Sequence, residues 1–305
     1  MASTSVYTTG SEPSLLLKTL RAAWWEKDLQ PQAWKEIFDI KIADQAVEYE
    51  LEMRAVTLGA LKPEGARAAI ASAGEGFKTS YKVQLYANSI YYTLESIQDN
   101  LYKTQWSPTS MGFAEAQDVL RNIVVFSLFN NAKNSSSVCA DGKPLLDLAH
   151  PTFARTFSNT TSVGTQLSMS LLQQYQTGIQ LFTNYSDYPM QCNPKRLITS
   201  VNNALTASAL LFSPQDPTSA NRSLNALFHG SYFSEGVLTS PYILDPNFSF
   251  AQSTATYGFT FYRRQDFIIQ ELPQSDALTY GFVGWERFAR LYSTARCGYG
   301  STYFS

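Results

Sequence analysis

Residues 48–53 read Glu48-Tyr49-Glu50-Leu51-Glu52-Met53, a strict alternation of acidic and apolar side chains. A strand sends successive side chains to opposite faces. Glu48, Glu50 and Glu52 therefore share one face, and Tyr49, Leu51 and Met53 share the other. The expected element is a half-solvated strand with its glutamates toward water or an interface. Gly59 and the turn Lys62-Pro63-Glu64-Gly65 end it. An Ala-rich tip follows from Gly65 to Ala73, closed by Gly74-Glu75-Gly76. Period two then resumes, with Tyr81, Val83 and Leu85 opposed to Ser80, Lys82 and Gln84, and strand character runs to about Tyr92. Two such strands around a Gly/Ala tip make a long arm. A lone two-stranded ribbon is marginal in water, and its edges invite pairing. The arm is thus expected to lie on another surface, with a hinge near Gly59 or Gly76.

Upstream, Leu15–Glu26 reads as a short helix that Gln30-Pro31 breaks, and Trp34–Phe38 as a helical turn with Trp34, Ile37 and Phe38 on one side. The Trp24-Trp25 pair calls for cover. Downstream, Thr93 caps a short helix over Leu94–Tyr102. Ser107-Pro108 starts a long one that runs to about Asn131. Its apolar stripe is Phe113, Ala116, Leu120, Ile123 and Val124, opposed by Glu115, Asp118 and Asn122. Residues 138–164 are loop with short strand pieces. Thr165–Phe182 is a second helix, with Leu171, Leu172, Tyr175, Ile179 and Phe182 on one face. Arg196–Val201 is a strand and Asn202–Phe212 a helix. Beyond a polar loop, Val237–Ile243, Tyr257–Tyr262, Phe267–Leu272 and Gly281–Tyr292 read as strands. The class is α+β.

The 305 residues allow one large domain or two medium ones. Hydrophobic residues reach 44%, enough for a real core, but charged residues only 16%, below the roughly 25% of an average soluble domain. Such a chain, with 18 Tyr and 19 Phe, suits either a surface covered by neighbours or a Ser/Thr-coated globule. Net charge is −2, and Lys195-Arg196 and Arg263-Arg264 are isolated pairs. Sequence-specific nucleic-acid binding, which needs a basic patch, is excluded on that ground. Cys139, Cys192 and Cys297 lie far apart and are expected to be reduced thiols. The N-terminus lacks a signal-peptide pattern, and no apolar run is long enough to cross a membrane as a helix.

Catalytic motifs are missing from the sequence. No nucleophile elbow, P-loop or dinucleotide fingerprint occurs. Gly74-Glu75-Gly76 precedes a strand, so no helix N-terminus faces a phosphate there. His150, with only Cys139 in reach, fits no common zinc spacing and reads as a satisfied loop histidine. Glu48, Glu50 and Glu52 on one solvated face lack the environment that separates two carboxyl pKa values. Asp141, Asp147 and Asp187 read as scattered loop acids. No enzyme activity, cofactor or metal is expected.

The order of elements, from arm and hairpin through the long helix to a mixed lobe and terminal strands, resembles the major capsid proteins of tailed phages, the HK-ninety-seven-like fold. Trp34-Lys35-Glu36-Ile37-Phe38, Lys62-Pro63-Glu64-Gly65, Tyr91-Tyr92-Thr93-Leu94-Glu95-Ser96, Asp99-Asn100-Leu101-Tyr102, Ala149-His150-Pro151, Pro194-Lys195-Arg196-Leu197-Ile198 and Trp285-Glu286-Arg287-Phe288 carry the likeness, especially to the Mu-like major head subunits. The resemblance implies an N-terminal arm over 1–47, an extended E-loop hairpin over 48–80 and a peripheral domain over 81–185 with a spine helix at about 108–132. An axial domain would follow over 186–265, and C-terminal strands over 266–305 would return to the peripheral domain. It implies pentamers and hexamers of identical subunits in an icosahedral head around double-stranded DNA, assembled in the host cytoplasm without a membrane. Portal, separate scaffold and decoration protein are the further partners it implies. A head subunit without a long charged leader suggests a separate scaffold or a leader already removed. Trp24, Trp25, Glu48, Glu50, Glu52, Lys62, Glu64, Glu75 and Lys78 become the candidate subunit contacts. Some relatives join a Lys and an Asn covalently. Lys62 and Lys78 lie in the matching arm, but no partner Asn or catalytic acid is identified, so no crosslink is expected. The alternatives are an encapsulin-type compartment of the same fold, a tail or carbohydrate-binding module, which the two long helices oppose, and a hydrolase, which the missing motifs oppose.

Overall fold

Val83 divides what reads in the sequence as one strand. Its side chain is buried while both neighbours are exposed, and its N–H donates to the Ala46 carbonyl at 3.0 Å. Before it, Gly74–Lys82 pairs with Val47–Arg54; after it, Gln84–Thr93 pairs with Thr279–Tyr292. One run of alternating residues thus serves two sheets. The computed structural model describes residues 32–65, 67–95, 102–135, 137–161, 164–217, 223–230, 232–255, 258–272, 279–292 and 294–302. The Leu15–Glu26 helix, Trp24 and Trp25, and most of the Leu94–Tyr102 helix lie outside them.

The strands, in chain order, are β1 Asp39–Ile42, β2 Val47–Arg54, β3 Gly74–Lys82, β4 Gln84–Thr93, β5 His150–Pro151, β6 Thr156–Phe157, β7 Pro194–Ser200, β8 Val237–Ser240, β9 Ser249–Ser253, β10 Phe259–Leu272, β11 Thr279–Tyr292 and β12 Gly298–Ser301. The helices are α1 Tyr102–Asn130, α2 Met169–Gln180, α3 Ala204–Phe212 and α4 Ala226–His229. One four-stranded sheet has the order β1-β10-β11-β4, a second the order β12-β9-β7-β8. Strands β2 and β3 form a separate two-stranded ribbon. The stretch expected as two strands, Tyr257–Tyr262 and Phe267–Leu272, is the single 14-residue β10. Its polar run Arg263–Asp266 is taken up by register shifts against β11, since a bulge absorbs an extra residue without ending the strand. The domain boundary drawn at 265/266 falls inside this strand.

Helix α1 has 29 residues, about 43 Å at 1.5 Å per residue. It begins before the expected start, so Pro108 lies inside it and forgoes one helical hydrogen bond. Its buried face also differs from the expected stripe. Gln117, Asp118 and Asn122 are buried, whereas Ile123 is 51% exposed. The cause is a polar network. Arg121 grips Glu286 of β11 through Nε and Nη2 and reaches Asp118 at 3.1 Å; Gln117 donates to the same Glu286, and Gln32 to Asp118 at 3.0 Å. The polar face points inward because its partner acid stands on the sheet.

The next turns of α1 build an aromatic core between the two sheets. Phe129 meets Phe248 and Phe250 of the second sheet's side at 5.6 and 5.7 Å and Phe259 of β10 at 5.4 Å. Trp34, Ile37 and Phe38 pack into the same core, as their spacing predicts. A second core joins α2 and α3 to β7, and Leu171, Leu172, Tyr175, Ile179 and Phe182 are all buried in it. Ser168 caps α2 by accepting from the Leu171 N–H at 3.3 Å. Truncating Phe129 would open a cavity where both sheets meet. Phe129→Ala is expected to lower unfolding free energy by about 3–5 kcal/mol in chemical denaturation; a loss under about 1 kcal/mol would show that this core is not shared.

Candidate assembly surfaces

The ribbon faces the opposite way from the sequence expectation. Glu48, Glu50 and Glu52 turn toward their own subunit, and Tyr49, Leu51 and Met53 turn outward, Tyr49 and Met53 more than half exposed. Period two fixes which side chains share a face but not which face is inward. The body decides that by offering partners. Glu50 accepts from the Tyr262 hydroxyl at 2.8 Å and pairs with Lys41 at 3.4 Å. Glu52 pairs with Arg296 at 2.8 Å. Glu48 accepts from the Gln45 N–H at 2.8 Å.

Arg296 is the centre of this arrangement. It is 3% exposed, donates through Nε to the Thr183 carbonyl and through Nη1 to Thr294, and lies 4.9 Å from the Phe157 ring. Burial pulls its proton affinity down, against the charges of Glu52 and Asp141. Burial likewise holds the Glu52 carboxyl above its ordinary value of 4.5, opposed by Arg296 and reinforced by Asp141. No sequence pattern marks Arg296 or Tyr262 as receivers of the ribbon. Aromatic contacts secure the ribbon further: the Arg54 guanidinium stacks 3.7 Å over Phe153, and Phe77 meets Tyr185 edge-on at 4.9 Å.

Beyond Arg54 the chain forms a tip over residues 55–73, closed by two weak links between Thr57 and Ser72. Val56, Leu58, Leu61 and Ile70 stand exposed along it, the last two almost fully. Lys62 and Glu64 are exposed at the tip, and Glu75 and Lys78 on β3. The Lys78 ammonium lies 4.8 Å from the Tyr49 ring. Gly76, one of the two positions where a hinge is expected, lies within β3: a Cβ there would stand 2.5 Å from the Glu52 carbonyl, so this glycine permits close strand contact.

His150 is fully buried, with Nδ1 2.7 Å from Asp141 and Nε2 3.1 Å from the Asn159 side-chain oxygen. Asp187 accepts from the Thr152 hydroxyl and the Ala154 N–H. Asp141 and Asp187, expected as scattered loop acids, therefore each hold a local loop. Cys139, Cys192 and Cys297 are free and buried. Among the described residues no group of three or more His, Cys, Asp or Glu is arranged to hold a metal.

The raised Glu52 carboxyl has a consequence for stability. The folded chain binds a proton at this site more readily than the unfolded chain, so the site's contribution falls as pH rises from about 4.5 through the raised value. Glu52→Gln keeps an acceptor for Arg296 without the charge. It is expected to remove this site's share of the pH dependence, so that its stability falls less than the parent's between about pH 4.5 and 7 in urea unfolding. A Gln variant whose stability falls with pH as steeply as the parent's would contradict this.

No protein-family model matches the sequence, and no curated protein does. Solved structures do. The capsid of a native GTA particle aligns at TM-score 0.56 and 12% identity, covering 92% of this chain and 93% of that one. The capsid of Myoviridae phage XM1 aligns at TM-score 0.54 and 10% identity, covering 87% and 88%. The SrpI encapsulin of Synechococcus elongatus aligns at TM-score 0.53 and 7% identity, covering 91% and 89%. None of the three singles out the Mu-like branch. With the ribbon, long helix and two sheets in place over nearly the whole length, the chain has the HK-ninety-seven-like fold of capsid shell subunits.

Proposed function

We propose that this chain is a structural shell subunit, the major capsid protein of a phage-type icosahedral head, and that it acts by self-assembly rather than by catalysis. One observation carries the reading: the ribbon presents Tyr49, Leu51 and Met53, and its tip Val56, Leu58, Leu61 and Ile70, to water. A solitary soluble subunit gains nothing from an exposed apolar arm. A neighbour that covers it recovers the burial. An arm meeting a different patch on the next copy makes a heterologous contact, which closes into rings of five or six. Each subunit touches several others, so modest interfaces add.

In this reading residues 48–80 reach across a neighbour, and α1 is the spine of the domain beneath. Strands β7, β8 and β9 with α3, within 186–265, form the axial lobe. The enclosed double-stranded DNA is held without sequence readout, in keeping with a net charge of −2. Assembly takes place in the host cytoplasm with a portal, a separate scaffold and a decoration protein as further partners, and the product is the virion capsid. A second reading, an encapsulin-type compartment around cargo protein, is favoured by the SrpI likeness of similar coverage. The contents of purified particles separate the two: nucleic acid for a head, protein for a compartment.

Electron microscopy of the concentrated chain, with and without a scaffold, tests the proposal. Closed shells or rings of five and six are expected; a monodisperse monomer under all assembly conditions would contradict it. Deleting Lys62–Gly74 is expected to leave a cooperatively folded subunit that no longer assembles. Loss of the fold itself would place the tip in the core.

A further inference from the structure

Strand β4 stops pairing with β11 at Gln84 opposite Phe288. Two residues further along β11 stands Arg290, beside the point where the chain turns at Val83 into the ribbon. A cavity of about 480 Å³ opens there, lined among others by Lys82, Tyr86, Ser127, Ser137, Arg290 and Tyr292. Among the described residues no Asp or Glu lines it. Arg290 is only partly exposed, yet its guanidinium makes no hydrogen bond or ion pair among the described residues. Its contrast is Arg121 of α1, which pairs with both Glu286 and Asp118. Burial lowers the proton affinity of Arg290, and only the weak acids Tyr292 and Tyr86 act against it.

Several hydroxyls around the cavity are already committed: Tyr86 donates to Gln84, Ser127 to the Val124 carbonyl and Tyr292 to the Ser137 carbonyl. Arg290 and Lys82 are the cations on the lining, beside the neutral polar groups of Ser80 and Gln84, so the complementary group is an anion. An unpaired, half-buried guanidinium is costly unless a carboxylate or phosphate meets it. Val124, Val138, Phe288 and Ala289 give the cavity apolar walls, which suit a side chain with its own methylenes better than a bare ion. The acid does not come from the same ribbon. Glu75 precedes Lys82 by seven residues of extended strand, about 23 Å, and Glu64 lies further out at the tip.

Both Glu64 and Glu75 are exposed, and neither has an ion-pair partner among the described residues. We propose that the Arg290 cavity is a carboxylate-binding site for a second copy of this chain, filled by Glu64 or Glu75 of the neighbouring ribbon. This rests on the shell reading and names a docking point within it. A salt link of this kind, desolvated by the apolar walls, fixes the register of one ribbon on the next subunit.

The test is assembly of Arg290→Glu, followed by light scattering and sedimentation, with thermal unfolding of the dissociated subunit as the fold control. Particle formation is expected to need roughly tenfold or more protein. Adding Glu64→Arg or Glu75→Arg to the same chain is expected to restore it, because the reversed charges meet between copies. If Arg290→Glu unfolds, Arg290→Met, which loses the attraction without adding repulsion, serves in its place and is expected to weaken assembly in the same direction. Parent particles with unaffected Arg290 variants overturn this inference and leave the shell reading standing. So does a loss that neither reversal rescues, or one that removal of inorganic phosphate from the parent reproduces. A parent chain that forms no particles overturns both.

Discussion

The pair between Glu52 and Arg296 sets which way the ribbon faces, and the outward surface of the molecule follows from it. Arg296 is buried and cannot be left without an acceptor at modest cost. Glu52 supplies one, and Glu50, two residues before it, points the same way toward Tyr262 and Lys41. Once two carboxylates point inward, the pleat forces Tyr49, Leu51 and Met53 outward. Leaving each of these in water forgoes about 1.5–3 kcal/mol of possible burial. The pair itself stabilises little, because burial penalises both charges. Its effect is orientation: the free subunit carries an apolar face that association can cover.

The frame behind the ribbon is rigid for a related reason. Helix α1 meets the first sheet through Gln117 and Arg121 against Glu286, with Asp118 holding Arg121 from within the helix, and only one rotation of the helix satisfies all of them. Gly284 lets the helix approach closely, since a Cβ there would stand 2.7 Å from the Phe113 ring. Val83 then ties the ribbon root to this frame. The ribbon is held firmly at its base and loosely at its tip, where Thr57 and Ser72 give the sole backbone link among the described residues of the loop. Such a gradient suits the proposed arm, which would seat on neighbours in slightly different settings.

Much of this was legible in the sequence, and the misses have physical causes. The α2 stripe was read correctly because apolar side chains bury there against apolar partners. The α1 stripe was misphased because Asp118 and Asn122 were assigned to water, while Glu286, some 165 residues away, holds that face inward. The ribbon strands were found from period two, but their orientation depended on Arg296, which no local pattern marks. Strands β9 and β12 were missed because their buried residues are largely Ser, Gln and Gly. Their burial is made possible by distant partners, among them Tyr175 on Ser249 at 2.7 Å and the Arg296 carbonyl on Ser253. Pairwise hydrogen bonding between remote segments is invisible to periodicity.

In the proposed assembly the Tyr49, Leu51 and Met53 face is free in the subunit and covered in the particle. Hydroxyl-radical footprinting read by mass spectrometry measures this directly at Tyr49 and Met53, in dissociated subunits and in purified assemblies. Strong labelling in the subunit and marked protection in the assembly are expected, with already buried Phe129 unlabelled in both. Equal labelling of Tyr49 and Met53 in the two states would contradict it.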